Sequence, residues 1–225
     1  MESSVQLLLR TARTSIIGLL VAGISACADP AKEQASATVH PTYDKTTGRL
    51  KELTYDANGN GRIDTWTEMD GTRPLRSRLD TNEDGKIDRW EEYDQNGGLV
   101  KVGFSRTDNG KADAWVFPGA DGKVHHIEIS SIGDPRKINR WEYYDPSRSD
   151  HDGRGALVRA EEDTNGDGRP DKWETYEQGV MKTVAFDENG NGRPDRRLNY
   201  TRTGLVVVES DPDASGRFAK RIEVK

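Results

Sequence analysis

Cysteine occurs once in this 225-residue chain, and large aliphatic side chains are scarce. A single cysteine excludes a disulfide-stapled scaffold and a cysteine-built metal centre. Leu, Ile, Val and Phe number 41, and ten of them fall before residue 25. The remainder has too little apolar material for a thick two-layer core. No later stretch is apolar enough to cross a bilayer, which excludes a polytopic membrane protein. Positive charge is not in excess either. With 33 basic and 39 acidic residues the net charge is −6, the wrong sign for a nucleic-acid binder. H-E-x-x-H, G-x-S-x-G and the phosphate-binding P-loop are all missing, and the expectation is that the chain is not an enzyme. If such a chain folds, something other than aliphatic burial must help.

The first residues read as an address. Arg10 and Arg13 precede an apolar run, Ile16 to Ile24, that ends in Ser25-Ala26-Cys27. Small residues before the one cysteine resemble the lipobox of bacterial lipoproteins. That resemblance implies cleavage before Cys27 and acylation of Cys27, with residues 1–26 as signal peptide. It also implies a cell-envelope location, and Ala28 after the cysteine favours the outer over the inner membrane. An ordinary secretory leader with a chance cysteine is the alternative. Residues 27–41 are small, polar and proline-containing, and read as the lipidated cysteine and a flexible tether. The mature chain loses Glu2, Arg10 and Arg13, so its charge becomes 31 − 38 = −7.

Residues 42–225 are one unit repeated. Tryptophans fall at 66, 90, 115, 141 and 173, at intervals of 24, 25, 26 and 32. Before four of them, or their equivalents, lies an Asp/Asn/Gly loop in one register. Its side-chain oxygens stand at positions 1, 3, 5 and 9 and its glycine at position 6. The loops are Asp56/Asn58/Asn60/Asp64, Asp80/Asn82/Asp84/Asp88, Asp163/Asn165/Asp167/Asp171 and Asp187/Asn189/Asn191/Asp195. Between the loops a second signal recurs: Tyr-Asp, a turn and glycine, then an apolar-rich segment of strand length, as at Tyr93-Asp94 to Leu99-Val100. No capped helical period ten residues long is present. The expected fold is all-β: an antiparallel meander of tandem ~24-residue hairpins forming a long twisted sheet, open or curling on itself. One tryptophan on alternate strands would make a stripe spaced roughly 10 Å apart. The expectation is that these rings supply packing, with stacking on sugar rings as the alternative.

A hard cation such as Ca²⁺ takes six to eight oxygens, and a loop with this spacing can wrap one. The loops beginning at Asp80 and Asp163 carry three aspartates and those at Asp56 and Asp187 two, so the first pair is expected to bind more tightly. Two loops are broken, with Ser105, Thr107, Asn109 and Asp113 in one and Ser131, Gly133, Pro135 and Asn139 in the other. Asp211 to Gly216 is partial. Turn chemistry without an ion is the competing reading, since Asx-turns and left-handed glycines make good hairpin loops unaided. The four intact loops resemble the D-x-D-x-D-G-x-x-D calcium hairpins of integrin α-subunits and related FG-GAP propellers. Asp80 to Glu91 and Asp163 to Glu174 also resemble EF-hand loops, which implies Glu91 and Glu174 as further ligands at position 12. The tandem hairpin pattern as a whole is similar to MORN repeats. His125 and His126 alternate across a strand and cannot readily share one ion, and His151 lies in an insertion.

These observations converge on an expectation. The chain is a membrane-anchored, calcium-binding repeat lipoprotein with a structural or adhesive role toward an envelope protein or polysaccharide. An EF-hand-like calcium sensor, an envelope hydrolase and a carbohydrate-binding module are the alternatives.

Overall fold

In a computed structural model, residues 39–132, 134, 136–148, 155–201 and 204–224 are described. Cys27, the leader, most of the tether and His151 lie outside them. The chain divides into two compact units, residues 1–112 and 113–225. The first holds β1 (Val39–Tyr43), β2 (Leu50–Tyr55), β3 (Thr65–Asp70), β4 (Arg73–Leu79), β5 (Arg89–Tyr93) and β6 (Leu99–Phe104). The second holds β7 (Ala114–Pro118), β8 (Val124–Ile129), β9 (Arg140–Asp145), β10 (Ala156–Glu162) and β11 (Lys172–Glu177). It continues with β12 (Val180–Phe186), β13 (Arg196–Thr201), β14 (Gly204–Pro212) and β15 (Phe218–Glu223). Within each unit the strands pair antiparallel with their neighbours in chain order, and β1 and β15 are each paired on one side only. No helix occurs among the described residues. The architecture is therefore the open, all-β hairpin meander that the repeat interval predicts. β1 begins at Val39, three residues inside the stretch that reads as tether. It pairs with β2 through main-chain bonds while all five of its residues stay exposed, so it needs no apolar pattern.

Long Asp/Asn loops join β2 to β3, β4 to β5, β10 to β11 and β12 to β13. Short turns join the strands at the opposite ends. Most of the short hairpins carry a register shift beside the turn, for instance between Glu92 and Tyr93 and between Thr175 and Tyr176. An extra residue at that point sharpens the local twist.

Directly opposed residues share a face. One face carries the buried side chains, and many of them are polar: Thr65, Thr67, Ser77, Arg89 and Glu91 in the first unit, Glu142 and Glu174 in the second. Aliphatic residues fill the gaps, among them Val102, Phe104, Ile127, Ile129 and Val184. The tryptophans do not join them. Trp66, Arg78, Trp90 and Gly103 oppose one another in one row, and Trp115, Glu128, Trp141, Glu161 and Trp173 in another. Within each unit the row lies on the face opposite the buried one, and its rings are half-buried. The stripe exists, but the rings do not form the core. The carboxylate at loop position 9 folds back onto the loop, and that fixes the strand's alternation. The tryptophan two residues later shares its face, and residues at positions 10 and 12 turn inward.

Candidate functional site: the Asp/Asn loops and the charged interior

The four intact loops repeat one hydrogen-bonding scheme. At position 1 the carboxylate gathers backbone N–H groups from positions 4 to 6. Asp56 accepts from Gly59, Asn60 and Gly61 at 2.6, 3.2 and 2.6 Å. Asp80 accepts from Asp84 and Gly85, Asp163 from Gly166 and Gly168, and Asp187 from Gly190, Asn191 and Gly192. Positions 3 and 5 each form an Asx-turn: Asn58, Asn82, Asn165 and Asn189 accept from position 5, and Asn60, Asp84, Asp167 and Asn191 from position 7. The carboxylates at position 9, Asp64, Asp88, Asp171 and Asp195, cap position 2, and the last three reach position 3 as well. Burial would raise the Asp56 pKa, but the N–H groups of Gly61, Gly59 and Asn60 outweigh it and hold the carboxyl low. Each loop is thus closed by its own side chains. At position 6, φ is +89° at Gly85 and Gly168, which a side chain tolerates poorly. No atom lies within 4 Å of a Cβ built at Gly85. Gly85→Ala is therefore expected to destabilise by about 1–2 kcal/mol through backbone strain alone, read from urea unfolding.

The donor chemistry fits a hard cation. All ligand-type atoms are oxygens, and the position 1 carboxylates keep lone pairs beyond those the N–H groups take. Among the described residues no three Asp, Glu, His or Cys side chains converge as a metal-holding group. The two loops with three aspartates differ. Lys86 Nζ sits 2.7 Å from the Asp84 carboxylate, whereas the outer oxygen of Asp167 has no protein partner among the described residues. A lysine on that carboxylate would compete with an incoming cation, which makes the Asp163 loop the stronger candidate of the two. Lys86→Met is expected to raise cation affinity at the Asp80 loop, measured by calorimetric titration.

Other positions depart from the pattern expected of them. Glu91 and Glu174 are not in the loops: they point into the buried face from β5 and β11, where cations and tyrosines engage them. Asn139 caps the Ser131 N–H at 2.7 Å, so Ser130 rather than Ser131 takes the first loop position and that loop is one residue longer. Asp213 makes the short type of turn, accepting from Ser215 and Arg217 as Asp94 accepts from Asn96 and Gly98. In the first unit adjacent loops are also tied together. Glu83, at φ +58°, reaches the side-chain amides of Asn58 and Asn60, and Asp108, at φ +53°, reaches that of Asn82.

The charged interior carries its own repeat, Arg/Lys-Trp-Glu-x-Tyr, at Arg89–Tyr93, Arg140–Tyr144 and Lys172–Tyr176. Arg140 donates to Glu142 at 2.9 Å, Glu174 at 2.9 Å and Glu162 at 3.5 Å. Lys172 lies 2.9 Å from Glu162 and 2.8 Å from Glu174. Tyr144 and Tyr176 donate to Glu142 and Glu174 at 2.8 and 2.7 Å. Burial works to raise the Glu174 pKa, yet bonds from Lys172, Arg140 and Tyr176 outweigh it and hold it at about 2, against an ordinary 4.5. A carboxyl depressed on folding adds stability above its unfolded pKa and loses it as pH falls toward the folded value. Glu174 is therefore expected to contribute ~3 kcal/mol that disappears between about pH 4.5 and pH 2. Unfolding curves across that range should flatten in Glu174→Gln, and an unchanged slope would contradict the assignment.

No protein-family model matches the sequence, and no curated protein matches it. Among solved structures, the chain resembles part of the accessory secretory proteins 1, 2 and 3 of Streptococcus pneumoniae. Identity there is 14% and the TM-score 0.35, over 47% of this chain and 19% of that one. It also resembles part of a TcdB2–TccC3 structure, at 14% identity and TM-score 0.24, over 83% of this chain and 11% of that one. The chain thus spans about a fifth and a tenth of the lengths of these two structures.

Proposed function

We propose that the chain is a membrane-anchored, calcium-binding repeat lipoprotein with a structural or adhesive role at the bacterial cell envelope. Cys27 is the acylated anchor, and the four Asp/Asn loops hold Ca²⁺. The observation that carries this reading is the common geometry of the four loops. Each brings an all-oxygen donor set into one backbone scheme, and oxygens of that set keep spare lone pairs. A sensor of EF-hand type would need helices beside each loop, and here strands flank every one. The test is calorimetric titration of the mature chain with Ca²⁺. Heat from about four sites at submillimolar to millimolar concentration is expected; no heat up to that level overturns the calcium part. Cys27→Ser is expected to move the chain from the membrane fraction to the soluble one, and retention in the membrane fraction overturns the anchor.

A further inference from the structure

The second unit presents an aromatic row that the loops do not use. Trp115 and Trp141 both oppose Glu128, and Trp141 and Trp173 both oppose Glu161. The three indoles therefore stand on one face at intervals of two strand widths, about 10 Å. They are half-buried and lie away from the face that carries the core. Among the described residues Trp141 and Trp173 make no ring stack, no cation–π contact and no indole N–H hydrogen bond. Neither indole nitrogen is among the buried unpaired atoms, so both N–H groups reach solvent and the rings are open to contact from outside. Beside them runs a second aromatic line: Phe117 stacks on His126 at 5.1 Å and His126 on Tyr143 at 5.0 Å. The faces of that second line are taken up by one another and, at Tyr143, by the Arg159 guanidinium 4.0 Å away, so the line flanks the tryptophan row without widening it.

We propose that Trp115, Trp141 and Trp173 form a stacking platform for an extended, uncharged β-1,4-linked glucan. In such a polymer every second ring presents the same face, so its repeat is one disaccharide, a length close to two strand widths. Aromatic faces offer the flat apolar contact that the C–H faces of pyranose rings take. Charge selects among glycans. Glu128 and Glu161 sit between the tryptophans and can accept hydrogen bonds from sugar hydroxyls. Arg159 pairs with Glu161 at 2.5 Å, so Glu128 sets the net charge of the strip, which disfavours polymers that carry carboxylate or phosphate. Wall glycan, with peptide carboxylates on alternate sugars, and anionic lipid are disfavoured on that ground. The inference names a partner for the adhesive role proposed above and rests on that role, but not on calcium.

The test is co-sedimentation of the full mature chain with microcrystalline cellulose, together with indole fluorescence on titration with cellohexaose. Retention on cellulose and a saturable change in emission are expected. Trp141→Ala/Trp173→Ala should bind roughly tenfold more weakly or worse, and Trp141→Phe/Trp173→Phe should keep most of the affinity because a ring remains. Melting curves report whether each variant is folded. The proposal is overturned if folded wild-type chain ignores both probes, or if the alanine variant binds equally. It is also overturned if purified wall sacculi or anionic vesicles bind better than cellulose. Any of these leaves calcium uptake and the Cys27 anchor standing. Their failure beside intact cellulose binding would count against the proposed calcium and anchor roles alone.

Discussion

Exchanging 1 mM Ca²⁺ for EDTA is expected to lower the stability of the repeat domain by about 6 kcal/mol. A loop with an extracellular-type dissociation constant near 10⁻⁴ M gains roughly 1.4 kcal/mol at that concentration, and four loops act together. The sum is comparable with the whole stability of an ordinary domain. Without the ion the loops are still closed by N–H bonds to positions 1 and 9, so the expected result is a large fall in melting temperature. On the calcium proposal the ion would add to a scheme that exists without it. Asp167→Ala separates the two contributions. Asp167 holds one Asx-turn and leaves its other oxygen outward, so the variant should lose about 1.4 kcal/mol in Ca²⁺ and much less in EDTA. Superimposable wild-type melting curves in Ca²⁺ and EDTA would remove calcium from the account.

The period of the fold was legible because its punctuation is chemical. Gly61, Gly85, Gly168 and Gly192 all have positive φ, and aspartates at positions 1 and 9 cap the loops they bracket. Which face forms the core was less legible. Read alone, Trp90 flanked by Arg89 and Glu91 resembles an apolar residue between two solvated charges. In the fold the order is reversed: Arg89 and Glu91 are 4% and 2% exposed and pair at 2.6 Å, while Trp90 is the more exposed. The usable signal was the recurrence of Arg/Lys and Glu on either side of tryptophan, with tyrosine two residues on, in three strands. A solvated face has no reason to repeat a cation, a carboxylate and a phenol in that order. The same pattern explains the placement of Glu91 and Glu174. Spacing from Asp80 and Asp163 fits an EF-hand, but strand alternation turns both carboxylates away from the loop and onto a cation. The left-handed Glu83 and Asp108 had no local signal, because the contacts that hold them come from the preceding loop.

Replacing Arg140 by methionine is expected to cost about 3–5 kcal/mol, close to the stability of a marginal domain. One guanidinium bridges three carboxylates on three strands, Glu142 on β9, Glu162 on β10 and Glu174 on β11. Methionine fills much of the volume and supplies no donor. Lys172 would remain for Glu162 and Glu174, and Glu142 would keep only the Tyr144 hydroxyl. An uncompensated buried charge, rather than a lost contact, sets the size of the effect. Arg140→Lys should fall between the two, since an ammonium is a point charge and cannot reproduce a planar fork aimed in three directions. Arg140→Met combined with Glu142→Leu and Glu174→Leu should recover part of the loss, because the buried carboxylates go with the guanidinium and only the Tyr144 and Tyr176 hydroxyls lose an acceptor. Urea unfolding midpoints for the four proteins decide the matter. A single Arg140→Met variant within 1 kcal/mol of wild type would mean that water or protons already neutralise these carboxylates, and the recovery by the triple variant would then have nothing to repair.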